Sequence, residues 1–153
     1  MSGPEIAVLL RLLEEAFEKQ AWHGPNLKGS LRGVTAAQAA WAPGPGRHSI
    51  WALALHAAYW KYAVRRRLTG EKRGSFPVTG SNFFPLEGRD WQSDCRLLTE
   101  QHRQLRAAVA GLDRVNAKTE RLIRGAALHD IYHAGQITLI KRLMRQAALH
   151  TEH

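Results

Sequence analysis

Apolar side chains recur with the period of an α-helix along four long stretches of this sequence, and no stretch alternates apolar and polar residues as a half-buried strand does. The stretches cover about residues 4–20, 50–69, 90–112 and 119–148. Alanine and leucine supply 41 residues, whereas valine, isoleucine and threonine together supply only 19, which favours helix over sheet. The sequence therefore predicts an all-α fold.

Local signals mark the ends of the helices and the connections between them. Ser49 is a suitable N-cap and Gly70 a suitable C-cap for the second long helix, and Thr35 can cap a short helix before it. The connection at 70–88 is polar, rich in glycine and proline, and long for antiparallel neighbours. We expect it to cross the bundle, so that the second and third long helices run parallel. Residues 1–153 are predicted to form one four-helix bundle domain.

Charge and cysteine content narrow the classes of function. The net charge is +9, but the basic residues are spread along the chain, and the densest cluster, at 65–73, lies at a predicted helix end without interleaved aromatic residues. We therefore expect no nucleic-acid partner. The single cysteine, Cys95, excludes an internal disulfide and suits a reducing compartment. Because no apolar run reaches about 18 residues, we expect a cytoplasmic protein without a membrane partner.

The fourth helix carries the most informative pattern for function. Steps of four and three along it give an apolar seam that is interrupted in the middle by His129, His133 and Gln136. The two histidines stand at i and i+4, so their side chains lie ~6 Å apart on one helix face, close enough to bind one metal ion. Unsatisfied imidazoles are costly to bury, and metal coordination would satisfy them.

A third ligand has to come from another helix, and the spacing leaves two histidines open. His56 lies in an apolar seam of the second long helix, and His102 lies in a seam of the third. Either could instead be a hydrogen-bonded core histidine. Cys95, also on a seam, is interpreted as a small core residue rather than a thiolate ligand. The residues alone therefore predict a divalent metal site around His129 and His133, without choosing its third ligand.

The sequence resembles the DinB-like family of damage-inducible-type bacterial proteins in two specific segments, HSIWALALHAAYWKYAVRRRLTG at 48–70 and HDIYHAGQI at 129–137. WHGPNL at 22–27 and the spaced residues W..D...L...H..L at 91–105 are similar to the family as well. The resemblance thus covers nearly the whole chain. It implies a four-helix bundle of DinB-like type, with a long crossover between the second and third long helices.

The resemblance also implies a function. Family members bind a divalent metal ion, usually nickel, zinc or iron, through a histidine triad that maps onto His56, His129 and His133 of this sequence. Some relatives transfer or isomerise substrates with low-molecular-weight thiols such as bacillithiol or mycothiol. We therefore expect a metal-dependent enzyme, either a hydrolase or a thiol transferase, with a small-molecule substrate and a homodimeric assembly. The alternative is a non-catalytic metal-binding stress-response protein.

Overall fold

The structure of the protein, a computed structural model, describes residues 3–151. Every regular element in this range is a helix, which confirms the predicted all-α class. Four helices are long and two are short. They are α1 (Pro4–Phe17), α2 (Leu27–Ser30), α3 (Ala36–Ala40), α4 (Ile50–Thr69), α5 (Trp91–Ala110) and α6 (Ala117–Thr151). None of the helices in the described range has both the length and the apolar character required to cross a membrane.

The predicted caps are confirmed in the structure. The Ser49 side chain accepts a hydrogen bond from the Ala52 amide at the start of α4, and Gly70 ends that helix with a left-handed φ of 75°. Thr35 forms a capping box with Gln38 at the start of α3. These local bonds explain why the start and the end of α4 agree with the prediction.

Three long helices differ from their predicted lengths, and one of them, α5, spans Trp91–Ala110 rather than about 90–112. α1 ends at Phe17 rather than near residue 20, because Glu18 leaves helical geometry before a tight turn at residues 21–24. α6 begins two residues earlier than predicted, because Asn116 and Thr119 cap it reciprocally, each side-chain oxygen accepting the other residue's backbone amide at 2.9 Å.

Contacts between the long helices establish their directions. Trp51 in the first turn of α4 donates to Asp94 in the first turn of α5, and its ring centroid lies 5.6 Å from that of Trp91. Further along, Nζ of Lys61 on α4 lies 3.4 Å from Nδ1 of His102 on α5. The later residue of α4 thus contacts the later residue of α5. The two helices therefore run in the same direction.

A layer of buried polar residues separates two apolar clusters of the core. On α6 the layer lies between Ala127 of one cluster and Ile137 of the other, and on α5 it lies between Leu105 and Leu98 of the same two clusters. The polar members on α4, α5 and α6 are His56, Lys61, Gln101, His102, Asp130 and His133. Burying so many polar groups at one level costs free energy unless they are paired. This layer is therefore the candidate location of the functional site.

Candidate metal centre

Three histidines from α4 and α6 meet in the polar layer. His129 and His133 project from successive turns of α6, and His56 projects from α4. Nε2 of His129 lies 3.1 Å from Nε2 of His56 and 2.9 Å from Nε2 of His133. One ring nitrogen from each of the three therefore lies within 4.8 Å of the other two. His56 and His133 are buried, and His129 is partly buried.

Hydrogen bonds at the opposite side of two rings determine which nitrogen carries the proton. Nδ1 of His56 lies 3.1 Å from the backbone carbonyl oxygen of Asn82, and Nδ1 of His133 lies 2.6 Å from Oε1 of Gln136. Both oxygens can only accept, so each Nδ1 has to donate. The Nε2 atoms of His56 and His133 consequently carry lone pairs, and both point towards Nε2 of His129.

This arrangement fits a metal ion and does not fit three free imidazoles. Nε2 of His129 carries either one proton or none, so it can donate to only one of its two neighbours. In free imidazoles, the lone pair of at least one neighbouring Nε2 therefore lies about 3 Å from the His129 nitrogen without receiving a hydrogen bond. Nitrogen ligands lie roughly 2.0–2.1 Å from a zinc-like ion, so two of them can be at most about 4.2 Å apart. The two short nitrogen distances, 2.9 and 3.1 Å, meet that condition.

The surroundings hold the three rings in the neutral form that ligation requires. Burial lowers the pKa of His129 to about 3, and the nearby His133 and His56 add to the effect. Burial likewise lowers the pKa of His56 and the pKa of His133 below the ordinary value of 6.5. Protons therefore compete weakly with a metal ion at neutral pH.

Aromatic rings enclose the histidines on the α4 side. Phe83, from the connection between α4 and α5, stacks on His56 with 4.2 Å between ring centroids and on His48 with 3.9 Å. Trp60 meets His56 and His129 edge-on, and its Nε1–H donates to Oδ1 of Asn82. The connection thus supplies both the carbonyl that orients His56 and the ring that covers it.

Cavities lie on both sides of the cluster. One of about 440 Å³ lies between α4 and α6, with His129 and Trp60 in its wall. Another, of about 770 Å³, is lined by His48 and by Gln136, the partner of His133. Small molecules occupy sites of this size.

The family profile of the DinB superfamily matches residues 21–139. The chain belongs to the DinB superfamily. No individual curated protein and no solved structure matches it. Members of the superfamily often bind a metal ion, and this chain has a three-histidine group that can hold one. The matched range includes His56, His129 and His133, so the cluster lies within the part of the chain that is typical of the superfamily.

Two other sequence candidates lie outside the cluster of this DinB-superfamily protein. His102 stacks on Phe17 with 4.0 Å between ring centroids, and burial together with the adjacent Lys61 lowers its pKa to about 3. Cys95 lines a different cavity, and burial raises the pKa of its thiol to about 11, so the thiol stays protonated at neutral pH. His102 is a core histidine, and Cys95 is not placed to act as a thiolate ligand.

The buried ion pair of Lys61 and Asp130, which lies next to the histidine cluster in the polar layer, was not predicted from the sequence. Nζ of Lys61 lies 2.5 Å from Oδ2 of Asp130, and both side chains are almost completely buried. Asp130 lies on the most deeply buried line of α6, among the residues Ile123, Ala127, Ala134 and Ile137. The sequence does place Asp130 on the same face of α6 as these apolar residues, which indicates a buried carboxylate. The periodicity of α6 does not reveal that its partner is a lysine on another helix.

Proposed function

We propose that this protein binds one divalent metal ion through the Nε2 atoms of His56, His129 and His133, and that it uses the ion to catalyse a reaction of a small molecule. The observation that carries the proposal is the convergence of the three Nε2 atoms while two of the rings donate from Nδ1 elsewhere. Three protein ligands leave positions for water or substrate, as in catalytic rather than structural metal sites.

The residues around the cluster would have two roles, orienting the imidazoles and excluding water. When bound, the ion would act as a Lewis acid that lowers the pKa of a coordinated water or thiol. Asn82 and Gln136 hold two imidazoles in the ligating tautomer, and Phe83 and Trp60 limit access of bulk water. This arrangement supports two reaction classes, hydrolysis of a small molecule and transfer of a low-molecular-weight thiol to an electrophile. Zinc, nickel and iron all accept imidazole ligands.

The cavity between α4 and α6 favours an enzyme over a non-catalytic stress-response protein. A protein that only stores or senses an ion needs no room for a second molecule next to it. Here a space of about 440 Å³ has His129, one of the three proposed ligands, in its wall. A substrate bound in this cavity would have its reacting group beside the ion.

Metal content tests the ligand set. We expect about one equivalent of metal in the purified protein, and loss of that equivalent in His133→Ala after chelator treatment, reloading and dialysis. The control is His102→Ala, which should keep the metal because His102 lies outside the cluster. Elemental analysis of the three proteins measures the result. A full equivalent in His133→Ala would refute the triad, and loss only in His102→Ala would move the site to α5.

Turnover tests the catalytic part. The metal-loaded protein is screened with bacillithiol, mycothiol or glutathione against an aryl halide, and separately with nitrophenyl esters. We expect one of these reactions to proceed, to stop on chelation, and to be absent from His133→Ala. Stoichiometric metal without turnover in either series would instead support the non-catalytic metal-binding protein.

A further inference from the structure

The cavity between α4 and α6 extends away from the histidine cluster along the first turns of α6. His129 lies at one end, and Arg121 and Lys118 lie two and three turns closer to the start of the helix. His129 follows Arg121 by eight positions, which corresponds to about 12 Å along the helix axis. Val64, Leu122 and Ala126 supply apolar surface between the two ends. The cavity therefore has a ligating end, an apolar middle and a basic end.

Two cations at one end of this cavity have no counter-charge in the described part of the chain, unlike Lys61, which also lines it and pairs with Asp130. Among the described residues, neither the side chain of Lys118 nor that of Arg121 forms an ion pair or hydrogen bond, and no acidic side chain lines the space. The guanidinium of Arg67 adds a further positive charge nearby, 6.0 Å from the ring centroid of Trp60 in the cavity wall. Arg124, in the same part of α6 but outside the cavity lining, pairs instead with Glu120.

A glycine keeps the middle of the cavity open. Gly125 lies in the interior of α6, where glycine is unfavourable for helix stability. A Cβ atom at this position would meet no atom within 4 Å, so packing against a neighbouring helix does not require glycine here. Since Gly125 lines the cavity, any larger side chain would occupy ligand space.

We infer that the cavity binds a small amphipathic carboxylate, with its carboxyl group at Lys118 and Arg121, its apolar body over Gly125 and its other end at His129. Lys118 and Arg121 are both exposed and, within residues 3–151, unpaired, and charge-assisted bonds from them to a carboxylate would contribute to its affinity. The inference names a substrate class for the proposed enzyme and rests on that function for the reaction at His129. Binding of the carboxylate itself does not depend on the metal.

The test compares a carboxylate with its neutral counterpart. Isothermal titration of the metal-loaded and the chelator-treated protein is carried out with 4-phenylbutyrate and with 4-phenylbutanamide. We expect the carboxylate to bind roughly tenfold more tightly in both forms of the protein, with the preference decreasing as salt is added. The double variant Lys118→Gln/Arg121→Gln should lose the preference. Arg142→Gln, which removes an exposed and unpaired cation of α6 outside the cavity, should retain it.

A second pair of variants tests the location. Gly125→Leu should abolish binding of both compounds, while Gly135→Leu, at a helix glycine with equally open surroundings outside the cavity, should leave binding unchanged. Equal affinity for the acid and the amide, no detectable binding of either, or binding that survives Gly125→Leu would each overturn the inference. Metal content is measured on the same samples. A protein without metal would contradict the proposed function. The preference for the carboxylate is tested separately, by titration of the chelator-treated protein.

Discussion

Hydrogen bonds to Nδ1 atoms govern the chemistry of this site at the scale of single residues. The amide oxygen of Gln136 and the carbonyl of Asn82 each orient a ring and leave its Nε2 unprotonated. Such partners contribute to affinity for a metal ion without touching it. The two differ in kind, because the carbonyl belongs to the backbone, and so only Gln136 can be tested by substitution of its side chain.

Gln136→Leu removes the acceptor for Nδ1 of His133 at nearly constant side-chain volume. We expect a loss of about 10- to 100-fold in metal affinity, because the ring then loses both its orientation and its preferred tautomer. Competition with a chelator of known affinity measures the change. Gln146→Leu, at an exposed position of the same helix, is the matched control. Equal affinities in the two variants would mean that the bond to Gln136 does not support the site.

Histidine burial predicts how stability changes with pH in the metal-free protein. Burial lowers the pKa of His102 and of His129 to about 3, whereas an unfolded chain titrates near 6.5. Below pH 6.5 the unfolded state therefore binds more protons, and the free energy of unfolding should fall by up to about 1.4 kcal/mol per pH unit for each such histidine. Urea unfolding of chelated protein between pH 7.5 and 5 measures this slope.

The comparison for this slope is a pair of histidine variants. His102→Gln should flatten the slope, and His150→Gln, at an exposed position on α6, should leave it unchanged. Stability that stays level or rises as the pH falls from 7 to 5 would contradict the prediction.

At the scale of helices, the ion pair of Lys61 and Asp130 connects two elements of the polar layer. It joins α4 to α6 with both side chains buried, and Lys61 also contacts His102 of α5. Removing one member leaves an uncompensated buried charge. We expect Lys61→Met to lower the free energy of unfolding by about 3–5 kcal/mol, and Lys61→Met/Asp130→Leu to recover most of that loss.

The double-mutant cycle for this pair is measured by urea unfolding. Its control is the exposed pair of Arg124 and Glu120 on α6, where alanine substitution should cost at most about 1 kcal/mol. A double variant as unstable as Lys61→Met would show that the loss comes from packing rather than from the unpaired carboxylate.

Metal binding should stabilise the whole molecule, because the ion would connect helices that are far apart in sequence. At a free metal concentration 100 times the dissociation constant, the expected gain is about 2.7 kcal/mol, or roughly 5–10 °C in melting temperature for a chain of this size. Calorimetry with and without chelator measures the shift. In His133→Ala the chelator should have no effect. A wild-type melting temperature that does not respond to chelation would contradict the prediction.

The homodimer implied by the family resemblance stays a prediction about the whole molecule. An exposed apolar face of α6, formed by Leu128, Tyr132 and Leu139, offers a surface that two copies could share. Light scattering should give twice the 17.2 kDa of one chain, and Tyr132→Glu should give a monomer. Val8→Glu, at an exposed apolar position on α1, should leave the dimer intact. A wild-type monomer at tens of micromolar would refute the assembly.

The sequence by itself determined the helices, several of their ends and two of the three histidines of the cluster, because these features are local. A helix places residues four apart on one face whatever surrounds it, so the pairing of His129 with His133 follows from their spacing. The caps at Ser49 and Gly70 likewise involve only neighbours in the chain. The choice of His56 as the third member came from the family resemblance, since spacing alone treated His56 and His102 alike.

Tertiary structure decided the rest, because it depends on how each helix is rotated against the others. That rotation turns His56 towards α6 and turns His102 towards Phe17 and Lys61. It also buries Lys61 opposite Asp130, a pairing that no periodicity within one helix can reveal. The carbonyl of Asn82 reaches His56 only because an irregular connection folds back over α4, and irregular backbone has no repeating pattern from which its course could be predicted.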